Sequence, residues 1–248
     1  MSDTSFRTWM KGLSKDNGER AEWAILLRWM LEAEFQDQQK IDRRYTGKKI
    51  LIDRTSHRFE DATVPEKRAV YGLFHHCQKE SDGCLLIDDV PVWLLTYETP
   101  NQASSTGRRA DLVGLTKDGG LVVFEGKLGK NSYPPISAVL EGLDYLSCLM
   151  SDSNFKKLIL DFRELKKKLP VPEGFEKIEP KRSACPMVIV LADSVYFDFY
   201  DKSKRGPGWR EMLKYGKRKT SVSIRFAIAK LDSKDSQKSF STEVSWLT

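Results

Sequence analysis

Apolar residues recur at two periods along this chain, and the switch between them marks its predicted elements. Residues 16–36, DNGERAEWAILLRWMLEAEFQ, place Trp23, Leu27, Met30 and Leu31 at helical spacing, and Asp16 with Glu19 makes a capping-box pattern at the start. Residues 37–62 are polar and irregular, with KKILI read as a short strand. A second helix is predicted from Thr63: the threonine caps, Pro65 suits the first turn and Glu66 completes T-x-x-E. Ala69, Val70, Leu73, Phe74 and Cys77 then form its buried face. From residue 90 the pattern turns to short apolar runs. VPVWLLTYE at 90–98, RADLVGL at 109–115 and LVVFEGK at 121–127 read as strands, the last two joined by KDGG into a hairpin. Pro134 and Pro135 open a helix to about Met150, and a charged helix is predicted over 154–169. PMVIVLAD at 186–193 is the strongest strand signal. VYFDFY extends that strand or forms a neighbour, SVSIRFAIAKL at 221–231 is the expected last strand, and the tail after Ser233 reads as weakly ordered.

No internal repeat or clear linker breaks this order. The expected architecture is therefore a single α/β domain over 1–248, with a mixed central sheet flanked by helices.

Composition narrows the class. Apolar residues are 40% and charged residues 31%, as in a soluble folded protein. No apolar run approaches the ~18 residues of a membrane span. The start, MSDTSFRTWMKGL, is too polar for a secretory signal, and cysteines 77, 84, 148 and 185 lack a small-scaffold disulfide pattern. These features predict a cytoplasmic protein with reduced thiols and no membrane partner.

Charge adds a partner. The net charge is +6, and residues 202–219, KSKRGPGWREMLKYGKRK, hold eight basic residues and one acid, so the remainder sums to about −1. Trp209 and Tyr215 lie among those cations, including Lys217, Arg218 and Lys219. Such a segment suits phosphate gripping and base stacking, and equally suits a solvated surface.

The candidate chemistry lies on the hairpin. Asp111 is in its first strand and Glu125 in its second, with Lys127 two residues on. Residues two apart on a strand share a face, so Glu125 and Lys127 project together and cross-strand pairing brings Asp111 beside them. Two carboxylates of this kind suit Mg²⁺ or Mn²⁺, which activates water and neutralises charge at phosphorus. A nearby ammonium orients that water or stabilises the transition state. The plain alternative is an ion pair at a strand end.

With R-R-A-D at 108–111, E-G-K at 125–127 and a following helix containing E-G-L-D-Y at 141–145, the chain resembles the PD-(D/E)XK nuclease superfamily. Ala110 stands where the family name has proline. The resemblance spans roughly 16–193, with an insertion near 37–89. It implies a restriction-endonuclease-like core and metal-dependent phosphodiester hydrolysis, with DNA the preferred substrate over RNA and a homodimer left open. It implies Asp111 and Glu125 as metal ligands, Lys127 as the residue assisting the water, and Glu141 or Tyr145 as support. Glu141 and Tyr145 resemble a Q-x-x-x-Y helix with Glu in place of Gln. It also implies an acid from the first helix, for which Glu22 is the candidate, since Glu19 belongs to the capping box. Arg108 and Arg109 are candidates for scissile-strand phosphate contacts, beside Trp209, Lys217, Arg218 and Lys219.

Other motifs carry less. His75, His76, Cys77 and Cys84 fit no common zinc spacing. G-x-S-x-G and Walker-type sequences are absent, which argues against a serine hydrolase and a built-in motor. The competing functional class is a non-catalytic nucleic-acid-binding module.

Overall fold

Strands form where the β-branched and apolar runs are densest. The computed structural model describes residues 49–56, 64–100, 109–130, 134–202, 210, 222–232 and 239–247. The predicted helix at 16–36, with Glu19 and Glu22, lies outside the described residues. So do Arg108 and the basic positions Trp209, Lys217, Arg218 and Lys219.

Helix α1 (Pro65–Glu80) precedes strands β1 (Cys84–Ile87), β2 (Val90–Pro100), β3 (Arg109–Thr116) and β4 (Leu121–Lys127), which pair antiparallel in sequence order. The β3–β4 turn closes as KDGG predicts: Gly119 N–H donates to Thr116 O and Thr116 N–H to Gly120 O, both at 3.0 Å. Helices α2 (Pro135–Met150) and α3 (Asp152–Lys166) lead to β5 (Met187–Ala192), which lies parallel to β4. Helix α4 (Ser194–Lys202) leads to β6 (Ser223–Asp232), parallel to β5, and β7 (Ser239–Trp246) returns antiparallel. Parallel neighbours need such crossovers, and the helices supply them.

The sheet does not stay open. Ile87 of β1 pairs in parallel with Val244 of β7, Asp88 N–H donates to Val244 O at 3.2 Å, and Trp246 N–H donates to Asp88 Oδ2 at 3.0 Å. The expected mixed sheet flanked by helices, with its restriction-endonuclease-like core, is thereby corrected to a closed seven-stranded mixed barrel. The physical reason lies in the tail after Ser233. Phe240 and Val244 are buried, so S-F-S-T-E-V-S-W supplies a seventh strand and removes the free edges of β1 and β7.

Three local expectations are corrected as well. Residues 49–52 of KKILI are not a strand: Ile50 and Leu51 are buried in a bend, and their amides donate to Asp161 Oδ2 at 2.5 and 3.4 Å. VYFDFY is helical in α4, where Tyr196, Phe197 and Tyr200 turn inward. Its first turn is held by Tyr196 N–H donating to Asp193 Oδ1 at 2.8 Å, so an acidic cap outweighs the aromatic β-propensity. Helix α1 begins at Pro65 behind Val64, with no side-chain cap bond.

Two cores share the barrel wall. Val70 and Phe74 of α1 join a cluster to which all seven strands contribute, including Ile87, Leu94, Leu112, Phe124, Leu191, Ala227 and Val244. Helix α1 thus lies on the face that all the strands share. The other face, across β2 to β6, is covered by α2, α3 and α4 through residues such as Trp93, Val123, Leu146, Phe162, Val190 and Phe226. Each such side chain, fully withdrawn from water, contributes about 1.5–3 kcal/mol. No helix among the described residues is long and apolar enough to cross a membrane.

Candidate active site

β4 lies between β3 and β5, and all seven of its residues are buried, the two charged ones included. Glu125 is 3% exposed and Lys127 5%. That burial removes the surface ion-pair reading of E-G-K.

The two glycines in this region bring the helices close. A Cβ on Gly126 would lie 2.5 Å from Val70 Cγ2, so α1 can approach β4 only where the strand has no side chain. A Cβ on Gly142 would lie 2.4 Å from Val188 Cγ1 and 3.6 Å from Glu125 Cγ, so α2 presses against the sheet beside Glu125. These approaches carry Glu66 of α1 and Glu141 of α2 to the end of β4. Lys127 Nζ lies 3.5 Å from Glu125 Oε2, 3.6 Å from Glu141 Oε2 and 3.8 Å from Glu66 Oε1.

Asp111 completes the group from β3. It lies one step beyond the last β3–β4 pair, Leu112 with Phe124, and thus opposite Glu125. Its Oδ2 accepts the Gly126 N–H at 2.8 Å, so the carboxylate takes the place of a strand carbonyl where the ladder ends.

The electrostatics follow from four carboxylates meeting one ammonium. Burial raises the Asp111 carboxyl above its usual range, and the Lys127 charge and Gly126 amide offset this only in part. Glu125 is pushed well above the carboxylate range by burial and then by the Asp111 charge, against the opposing pull of Lys127. Burial would lower Lys127, but Glu125, Asp111, Glu141 and Glu66 together hold it above its usual value, so it remains an ammonium. Glu125 Oε1 is buried without a hydrogen-bond partner. Such an oxygen in an acid-rich cluster suits a hard cation. Among the described residues no three His, Cys, Asp or Glu side chains gather closely enough to hold one ion. Protein ligation would rest on Asp111 and Glu125, which meets the need of Mg²⁺ for one or two carboxylates completed by water and phosphate.

The hairpin geometry therefore unites Asp111, Glu125 and Lys127, and Glu141 joins them from α2. Tyr145, one turn after Glu141, is buried in the outer core. Arg109 Nη1 donates to Glu98 Oε2 at 3.1 Å on the neighbouring strand. His75 lies with its Nε2 3.4 Å from the Tyr97 hydroxyl, and burial pushes the Cys77 thiol up to about 12.

Sequence reasoning missed two residues. Glu66 is a cluster member, hidden because its position three after Thr63 read as a capping box. Asp193 is the other: its carboxylate accepts the Gly129 N–H at 3.0 and 3.1 Å as well as the Tyr196 N–H, pinning the loop after Lys127 to the start of α4. The exit of a strong strand signal into Asp-Ser was its visible trace.

The chain matches no protein-family model, no curated protein and no solved structure.

Proposed function

We propose that this protein is a metal-dependent nuclease that hydrolyses phosphodiester bonds, with Asp111, Glu125 and Lys127 at its centre. One observation carries the reading: Asp111, Glu125, Glu141 and Glu66 gather around a single ammonium, with Glu125 and Lys127 buried and one Glu125 oxygen unpartnered. Fully ionised, the cluster carries an excess of negative charge. A structural ion pair gains nothing from that excess, whereas a site for a divalent cation needs it.

Asp111 and Glu125 would hold Mg²⁺ or Mn²⁺, which when bound supplies an activated water and neutralises charge at phosphorus. The chain's own groups do the rest. The Gly126 amide fixes the Asp111 carboxylate. Glu141 and Glu66 hold Lys127 protonated and aimed, so that it donates to a phosphate oxygen as charge develops there. Burial of Glu125 and Lys127 excludes bulk water, which strengthens each of these interactions. The net positive charge of the chain favours a polyanionic substrate, and the resemblance noted in its motifs favours DNA over RNA.

The test is cleavage of mixed-sequence DNA and RNA with Mg²⁺, with Ca²⁺ and with EDTA. The expected result is cutting with Mg²⁺ or Mn²⁺, binding with little cutting in Ca²⁺, and no cutting in EDTA. Undiminished cutting in EDTA would refute the two-carboxylate mechanism. Binding without cutting under every metal would identify a non-catalytic nucleic-acid-binding module instead.

A further inference from the structure

Glu98 is a charged residue held under local constraint outside the cluster. It lies within β2 at φ +50°, a conformation that an L side chain keeps only where its surroundings over-determine it. Three donors do so. Lys67 Nζ donates to Oε1 at 2.6 Å, Arg109 Nη1 donates to Oε2 at 3.1 Å, and the Tyr71 hydroxyl also bonds to this carboxylate. Lys67 and Tyr71 are one turn apart on α1, and Arg109 comes from β3.

Exposure shows which partner is the anchor. The Glu98 side chain is 17% exposed, while Lys67 is 46% and Arg109 48%. The acid is therefore set into the wall and both cations face solvent. One carboxylate leaves the trio with a net positive charge. Ammonium and guanidinium carry three and five N–H donors, and Glu98 takes one bond from each. An ordinary exposed ion pair needs no strained backbone to hold it.

The position of the trio matters as much as its charge. Tyr97 pairs with Leu112 and Thr99 with Ala110, so Glu98 falls opposite Asp111 across β2 and β3. Lys67 also directly follows Glu66 on α1. The two cations thus flank the acid cluster on the side of Asp111.

We propose that Lys67 and Arg109, held by Glu98, form a phosphate-binding subsite that grips the polynucleotide backbone beside the phosphodiester presented to Asp111 and Glu125. The proposal rests on the nuclease reading above. The subsite positions substrate and reads no base, because its donors meet phosphate oxygens only.

The test is binding of a labelled mixed-sequence duplex in EDTA, across about 50 to 200 mM salt. The combined Lys67→Gln, Arg109→Gln variant should bind about tenfold or more weakly, with a salt slope shallower by ~1.8 for two lost phosphate contacts. Lys167→Gln removes the same kind of charge from the exposed residue that follows α3, paired with Glu164 and not with the cluster, and should change neither quantity. Glu98→Gln removes a negative charge, so simple net-charge attraction predicts tighter binding, whereas loss of the anchor predicts weaker binding. Lys67→Arg should restore most of the affinity lost in Lys67→Gln, and melting of each variant checks that it is folded. If the wild type binds and the combined variant matches it in affinity and slope, the subsite is refuted and the nuclease reading stands. Equal weakening by Lys167→Gln refutes it too. If the wild type neither binds nor cuts any polynucleotide, the nuclease reading fails and the subsite falls with it.

Discussion

Replacing Lys127 with methionine keeps the length of the side chain and deletes the one ammonium among four carboxylates. Its contacts at 3.5, 3.6 and 3.8 Å are each worth about 4 kcal/mol before desolvation, at an effective dielectric of ~20. Most of that gross attraction is offset by taking the charges out of water. Removing one partner of a buried pair nevertheless costs about 3–5 kcal/mol, because the remaining charges are left uncompensated. For a chain of this size, about 2–4 °C of melting temperature is lost per kcal/mol, so Lys127→Met should melt roughly 6–20 °C below wild type near neutral pH in EDTA. The deficit should shrink with acid. The Asp111 and Glu125 carboxyls are already raised in the folded state, and loss of the ammonium raises them further. Between the unfolded carboxyl values near ~4 and those raised values, the folded state binds more protons, so stability falls as pH rises through that window. The variant should therefore recover toward wild type as pH falls toward ~4, and in part with added Mg²⁺. Calorimetric melts at a series of pH values test this. A variant within about 0.5 kcal/mol of wild type at every pH would show that Lys127 does not hold the cluster together, and the electrostatic reasoning fails.

Three further outcomes follow from the same geometry. Glu125→Gln in EDTA should be more stable than wild type near neutral pH, and lose that advantage as pH falls toward ~4, where wild-type Glu125 is protonated in both states; urea melts at two pH values check it. Gly126→Ala places a Cβ 2.5 Å from Val70 Cγ2, and should destabilise by about 1–3 kcal/mol through overpacking while displacing α1 and Glu66, which lowers cleavage. Replacing Lys217, Arg218 and Lys219 together with Ala should weaken binding to all nucleic-acid sequences and flatten the salt dependence by up to ~0.9 per lost duplex contact, measured by fluorescence anisotropy.

The centre of the site was legible because a hairpin leaves little freedom. KDGG placed Asp111 and Glu125 on paired strands and period two put Lys127 on the face of Glu125, while the register that sets Asp111 opposite Glu125 comes from the structure. Glu141 was named through the likeness of E-G-L-D-Y to a Q-x-x-x-Y helix, and spacing along the chain did not single it out. Glu66 escaped because T-x-x-E at a proline-started helix has a complete local explanation, and only the close approach at Gly126 shows the glutamate turned to Lys127 instead. The anchoring of Glu98 left no trace, since a glutamate in an apolar strand says nothing of a left-handed φ. Barrel closure was missed for a different reason. Five of the eight residues of S-F-S-T-E-V-S-W are polar, so its inward residues, Phe240 and Val244, stand out only once β6 and β1 offer edges to pair with. Long-range pairing of that kind is decided by tertiary contacts rather than by local propensity.

Single-turnover cleavage of a labelled DNA strand by wild type, Asp111→Asn and Glu125→Gln under the same Mg²⁺ concentration, with melting curves to verify folding, tests the metal-dependent site most directly. Each substitution keeps shape and removes one negative charge from the group proposed to hold the ion. Wild type should cut, and each folded variant should be slower by about 10²-fold or more, as loss of a metal ligand or proton-transfer group entails. Folded variants that cut at the wild-type rate would contradict this assignment.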